Sequence, residues 1–116
     1  MDLSKGTGRC NCSYCAKVRN WSAIVKPEAF RLLSGENEVS QYQFTEQSVN
    51  HHLFCKTCGV RTFSRGYVEE IGGHYVSIAI ASLDGIPPEE LAKLPIQYMD
   101  GKDNNWFNSP KVTSYL

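Results

Sequence analysis

The sequence predicts a mainly β domain of short strands with one or two small helices. Three observations lead to that class. Short runs rich in β-branched and aromatic residues recur along the chain, separated by Gly, Pro, Ser or Asn. Helix signals are few and short, with prolines placed to open one turn at "KPEAF" and a small helix in "IPPEELAKL". The chain is 116 residues long, the size of one domain, and no repeat, low-complexity tract or Pro/Ser linker divides it. A single domain over residues 1–116 is therefore expected.

The elements follow in order. After a first group of cysteines, "WSAIV" (Trp21 to Val25) reads as a short buried strand. In "KPEAF", Pro27 is placed to open one helical turn. "FRLLSGENEVSQYQF" reads as a strand, a turn at Ser34 and Gly35, and a second strand alternating through Val39, Tyr42 and Phe44. "NHHLFCKTCGVRTFSRG" has the form of a zinc knuckle between two strands. "GGHYVSIAIASLDG" is the strongest strand signal, with Tyr75, Val76, Ile78 and Ile80 between flanking glycines. In "IPPEELAKL", Glu89 and Glu90 suit the positive first turn of a helix and Lys93 its end. The remainder, from Pro95 to Leu116, reads as turns with scattered aromatics.

Composition excludes several function classes. Twelve Lys and Arg balance twelve Asp and Glu, so no net field recruits nucleic acid or an anionic membrane. No stretch approaches the roughly 18 apolar residues of a membrane span. "MDLSKGTG" has no apolar h-region and does not read as a signal peptide. The expected compartment is the cytoplasm, where thiols stay reduced.

The cysteines carry the chemistry. There are five, an odd number, so they cannot complete an internal disulfide framework. Cys10, Cys12 and Cys15 are too close to staple distant segments, and Cys55 and Cys58 form a separate C-x-x-C followed by Gly59. Two clusters of reduced thiols favour zinc over disulfides. A C-x-x-C turn folds both sulfurs onto one centre, and glycine after it permits left-handed dihedrals. A thioredoxin-like redox pair instead opens a helix, whereas "GVRTFSRG" after Cys58 reads as strand. The C-x-C-x-x-C of Cys10, Cys12 and Cys15 offers three sulfurs from one loop. Three protein ligands and an open position suit a catalytic zinc; four closed ligands suit a structural one. Spacing alone permits either.

Taken together, "CNCSYC", "VKPEAFRLLSGE", "YQF", "HHLFCKTCGVRTFSRG" and "YVSIAIASLDG" resemble the glutathione-dependent formaldehyde-activating enzyme family, which shares its domain with centromere protein V. The resemblance runs from about Arg9 to Gly85. It implies a β-tent-like zinc-binding fold of short antiparallel strands and a carbon–sulfur lyase class. The family reaction joins formaldehyde and glutathione to S-hydroxymethylglutathione, or reverses that step. By resemblance, Cys10, Cys12 and Cys15 hold the catalytic zinc, beside which the glutathione sulfur takes the open position. Cys55 and Cys58 belong to a second, structural zinc. The sequence departs from the family at its start, where a "G-x-C-x-C-G" strand usually supplies the structural zinc's other two ligands. Here eight residues precede Arg9, and none is cysteine. The departure leaves Cys55 and Cys58 as half a site. Either the first cluster keeps its zinc alone, or Cys12 and Cys15 join Cys55 and Cys58 in a closed four-sulfur site.

Other residues have bland and functional readings. His51 and His52 are strand residues beside the knuckle or spare ligands, His52 being the nearer candidate; His74 reads as a strand-end residue. Lys17, Arg19, Arg61 and Arg65 are surface cations or partners for the two carboxylates of glutathione. Trp21, Phe54 and Phe63 suit the core better than a pocket. Trp106 and Phe107 cap the core or meet a partner. The leading expectation is a zinc-dependent lyase acting on a thiol–aldehyde adduct such as S-hydroxymethylglutathione. The rival is a non-catalytic zinc module that serves stability or partner binding; a redox-active thiol protein is the third reading. Expected partners are a small thiol such as glutathione, with neither nucleic acid nor membrane. An open sheet edge would admit a homodimer.

Overall fold

The computed structural model describes residues 3–116. The chain is mainly β. In order, the described residues form β1 (Thr7–Cys10), α1 (Ser13–Val18), β2 (Trp21–Val25), β3 (Val39–Tyr42), β4 (His51–Cys55), β5 (Arg61–Val68), β6 (Gly73–Ala79), α2 (Pro88–Leu91) and β7 (Ile96–Met99). They gather in two compact units. One comprises Leu83–Leu116 with the described residues up to Ala23; the other is Ile24–Ser82.

The second unit is an antiparallel run of β3, β4, β5 and β6, each strand paired with the next. The apolar strand read in "HYVSIAIA" supplies its centre: Val76 is fully buried, and so is Ile80, which opens a 3₁₀ turn just past the strand's end at Ala79. Phe63 sits opposite Ile78 in the β5–β6 ladder and packs on Phe30, with ring centroids 4.8 Å apart. The Arg65 guanidinium lies over both rings, at 5.3 Å and 5.4 Å. Pro27 opens a 3₁₀ turn, Pro27–Ala29, as its fixed φ predicts. The strand expected at Phe30 to Leu33 does not form. Phe30 packs on Phe63 there, whereas Leu33 is 79% exposed. The strand read through Phe44 ends at Tyr42.

The first unit places β1 between two neighbours. It runs antiparallel to β2, with Arg9 opposite Trp21, and parallel to β7, with Cys10 opposite Met99. The sequence predicts neither β1 nor β7, and their parallel pairing departs from the expected antiparallel arrangement. Thr7 ties the three strands together. Its hydroxyl donates to the Pro95 carbonyl at 2.7 Å and accepts from Trp21 Nε1 at 2.8 Å. Among the described residues, no helix is long and apolar enough to cross a membrane.

Candidate metal centre

Strand β1 delivers Cys10, buried, to the end of its ladder. The chain then turns through Asn11 and Cys12 into α1. Cys12 is the N-cap of that helix, a place where a side chain must accept from orphan amides. Its sulfur takes the part usually played by oxygen: Cys15 N donates to Cys12 Sγ at 3.3 Å. In turn Cys12 N donates to Cys10 Sγ, also at 3.3 Å. Cys15 lies one helical turn on, over the N-cap. The short helix ends where Arg19 adopts a left-handed conformation (φ 53°), its N–H returning to the Cys15 carbonyl. Arg19 also donates from Nη1 to the Tyr115 carbonyl at 3.0 Å, fastening α1 to the end of the chain.

These devices bring the three sulfurs within 4.8 Å of one another. A tetrahedral ion bound at about 2.3 Å spaces thiolates roughly 3.8 Å apart, so a small closure of the trio meets it. All three donors are soft sulfurs, the set that suits zinc. The thiols also differ in their readiness to ionise. Hydrogen bonds from the Cys10 and Cys15 thiols, then from the Cys15 and Tyr14 amides, pull Cys12 down to about 2. Donating to Cys12 holds the Cys10 thiol above its ordinary value. Cys15 is pushed up by its hydrogen bonds to Cys10 and Cys12 and by burial. One thiolate and two thiols therefore share the loop before a metal arrives.

The wall behind the loop is the segment that leaves β7, where the sequence predicts turns. Asn11 Nδ2 donates to Asp100 Oδ1 at 2.8 Å, and Lys102 N donates to Asn11 Oδ1 at 2.9 Å. Between those partners, Gly101 presses so close that a Cβ on it would stand 2.6 Å from Cys10 Sγ and 2.6 Å from the Trp106 ring. Trp106, 44% exposed, is held by its Nε1 donating to Asn104 Oδ1 at 2.7 Å.

The sequence pattern of the family described as "Glutathione-dependent formaldehyde-activating enzyme" matches residues 3–99. The chain belongs to that family. A crystal structure of a Rhodobacter sphaeroides protein is similar, with a TM-score of 0.61 and 27% identity over 78% of this chain and 80% of that one. In this member of the formaldehyde-activating family, Cys10, Cys12 and Cys15 form a group of sulfurs that can hold a metal ion.

The other cysteines occupy the second unit. Cys55 ends β4 and Cys58 lies in the following turn, so the C-x-x-C does sit between two strands. Gly59 closes that turn at φ 79°, its N–H donating to the Cys55 carbonyl at 2.8 Å. Amides of Cys58 and Thr57 lower the Cys55 thiol from its ordinary value. Among the described residues, the group of three or more converging ligand atoms is the Cys10 trio. The histidines have strand partners: His51 Nδ1 meets Gln41 Oε1 at 3.0 Å and His52 Nδ1 meets Ser64 Oγ at 3.2 Å. His74 stands edge-on to Tyr67. Trp21 carries the Arg9 guanidinium 4.9 Å above its ring, and Phe63 is buried.

Proposed function

We propose that the chain is a zinc-dependent carbon–sulfur lyase acting on a thiol–aldehyde adduct such as S-hydroxymethylglutathione. The observation that carries this reading is the convergence of three sulfurs from one loop, three ligands being the number that leaves a coordination position for substrate. Zinc held there supplies a Lewis-acid centre that stabilises a substrate thiol in its ionised form. The chain's own part is to hold the three sulfurs in place. Cys12 caps α1 and fixes Cys15, while the wall from Asp100 to Lys102 closes the loop from behind. Lys17, exposed on α1 two residues beyond Cys15, is placed to meet a glutathione carboxylate, and Trp106 offers an apolar face. In the lyase direction the carbon–sulfur bond of the adduct breaks as its hydroxyl loses a proton. Aldehyde and thiol are released, and the proton returns to the thiolate. Cys55 and Cys58 serve a second, structural zinc once two further ligands are supplied.

The test is the exchange rate between formaldehyde, glutathione and their adduct with zinc-loaded protein. Acceleration over the spontaneous rate is expected, and Cys12→Ser should remove it. Serine is itself a good N-cap, so the variant keeps α1 while losing the thiolate. A wild-type rate equal to the spontaneous one sinks the enzyme reading. The second reading, a metal used only for stability, draws on the burial of Cys10 and the close wall at Gly101. It predicts complete unfolding on zinc removal, whereas the lyase reading predicts a folded, inactive apo-protein.

A further inference from the structure

We propose that Asn11 and Asp100 form a positioning pair that sets how firmly the cysteine loop holds its ion. The inference rests on the reading that Cys10, Cys12 and Cys15 bind zinc, and it makes Asp100–Lys102 a working part of the metal centre. Asn11 is the residue between two of the ligands, so its backbone sets the angle at which Cys10 and Cys12 present their sulfurs. Three polar groups of Asn11, its N–H and both side-chain atoms, are directed at one segment. Its N–H donates to the Met99 carbonyl at 3.2 Å, its Nδ2 to Asp100 Oδ1 at 2.8 Å, and its Oδ1 accepts from Lys102 N at 2.9 Å. The pair is shielded from water, Asn11 being 7% and Asp100 9% exposed. Water therefore competes poorly for these bonds, and their loss leaves polar groups unsatisfied.

Asp100 is itself fixed. Its N–H donates to the Asn108 carbonyl at 3.0 Å, and its carbonyl accepts from Asn105 N at 2.9 Å. The carboxylate thus reaches Asn11 from a braced turn rather than a mobile tail. Hydrogen bonds that orient a ligand typically carry 10- to 100-fold in metal affinity. Here they orient the peptide between two ligands, and so restrain both at once. A loop released from Asp100 would sample arrangements in which Cys10 and Cys12 diverge, and an ion would escape through them.

An ordinary stabilising bond would behave differently, and the experiment separates the two. Zinc-loaded protein is mixed with excess chromogenic chelator and the release of zinc is timed. The same proteins loaded with cobalt are compared by their thiolate-to-cobalt absorption bands. Asn11→Ala and Asp100→Ala should speed zinc release roughly 10- to 100-fold and weaken the cobalt bands. Asp100→Asn, which keeps an acceptor oxygen, should stay near the wild type. The double variant should release zinc no faster than Asn11→Ala, since that change already removes the bond to Asp100. Thr7→Ala is the control: it removes two part-buried hydrogen bonds in the same unit, so it should lower the melting temperature with wild-type zinc release. If Asn11→Ala does not fold, the contrast between Asp100→Ala and Asp100→Asn carries the test. Unchanged release in Asp100→Ala, or equal acceleration by Thr7→Ala, overturns the proposal. A wild-type protein showing no thiolate bands with cobalt overturns the metal reading itself, and the pair's role with it.

Discussion

Cys12 joins two demands in one atom. Its sulfur is a helix cap and the trio's thiolate, so the residue that starts α1 also carries the charge that draws a cation. The neighbouring thiols keep their protons, because their hydrogen bonds to Cys12 and their burial oppose ionisation. Metal capture at neutral pH must therefore expel the protons of Cys10 and Cys15. About two protons per zinc should appear in weakly buffered solution, read with a pH indicator. Affinity should fall as pH falls, because protons compete for those two sulfurs. A single proton released would show that one of the two thiols stays out of the site. The trio was legible in the sequence because C-x-C-x-x-C states its own spacing. Asn11, Gly101 and Asp100 were not, since no local pattern joins residue 11 to residues about ninety positions later.

At the scale of elements, legibility followed how local each element's cause is. β2, β4, β5 and β6 were readable from runs of apolar and β-branched residues closed by turns. The Pro27 turn and α2 were readable from proline at the helix start. β1 and β7 were not. Each has only four residues, and they form a parallel ladder between segments most of the chain apart, so the pairing has no local signal. Phe30 to Leu33 fails in the opposite sense: it is apolar enough for a strand but lies outside the ladders formed by the described residues. The turn that carries Cys58 shows a local cause acting strongly. Gly59 holds φ 79°, where a Cβ is opposed by the following carbonyl. Gly59→Ala should cost about 1–2 kcal/mol, measured by urea unfolding. A neutral result would mean the turn relaxes to another conformation without loss.

For the molecule as a whole, the question is how many ions it carries. Three cysteines converge in one unit, while the other two, in the second unit, form a pair without a third ligand in a common group among the described residues. The expected stoichiometry is one tightly held ion per chain; elemental analysis giving two would show that the Cys55–Cys58 pair has found further ligands. Gly101 offers a second way to take that count. A missing side chain lets its backbone stand against both Cys10 Sγ and the Trp106 ring, which therefore lie within about twice 2.6 Å of each other. Cobalt at the trio would drain the excited state of that indole, so emission should fall with occupancy and level off at the first equivalent. The chain has only one other tryptophan, Trp21, and a Trp21→Phe variant removes its contribution to the signal. A glycine that exists to let two surfaces touch thus makes the protein's own light a gauge of whether its metal is home.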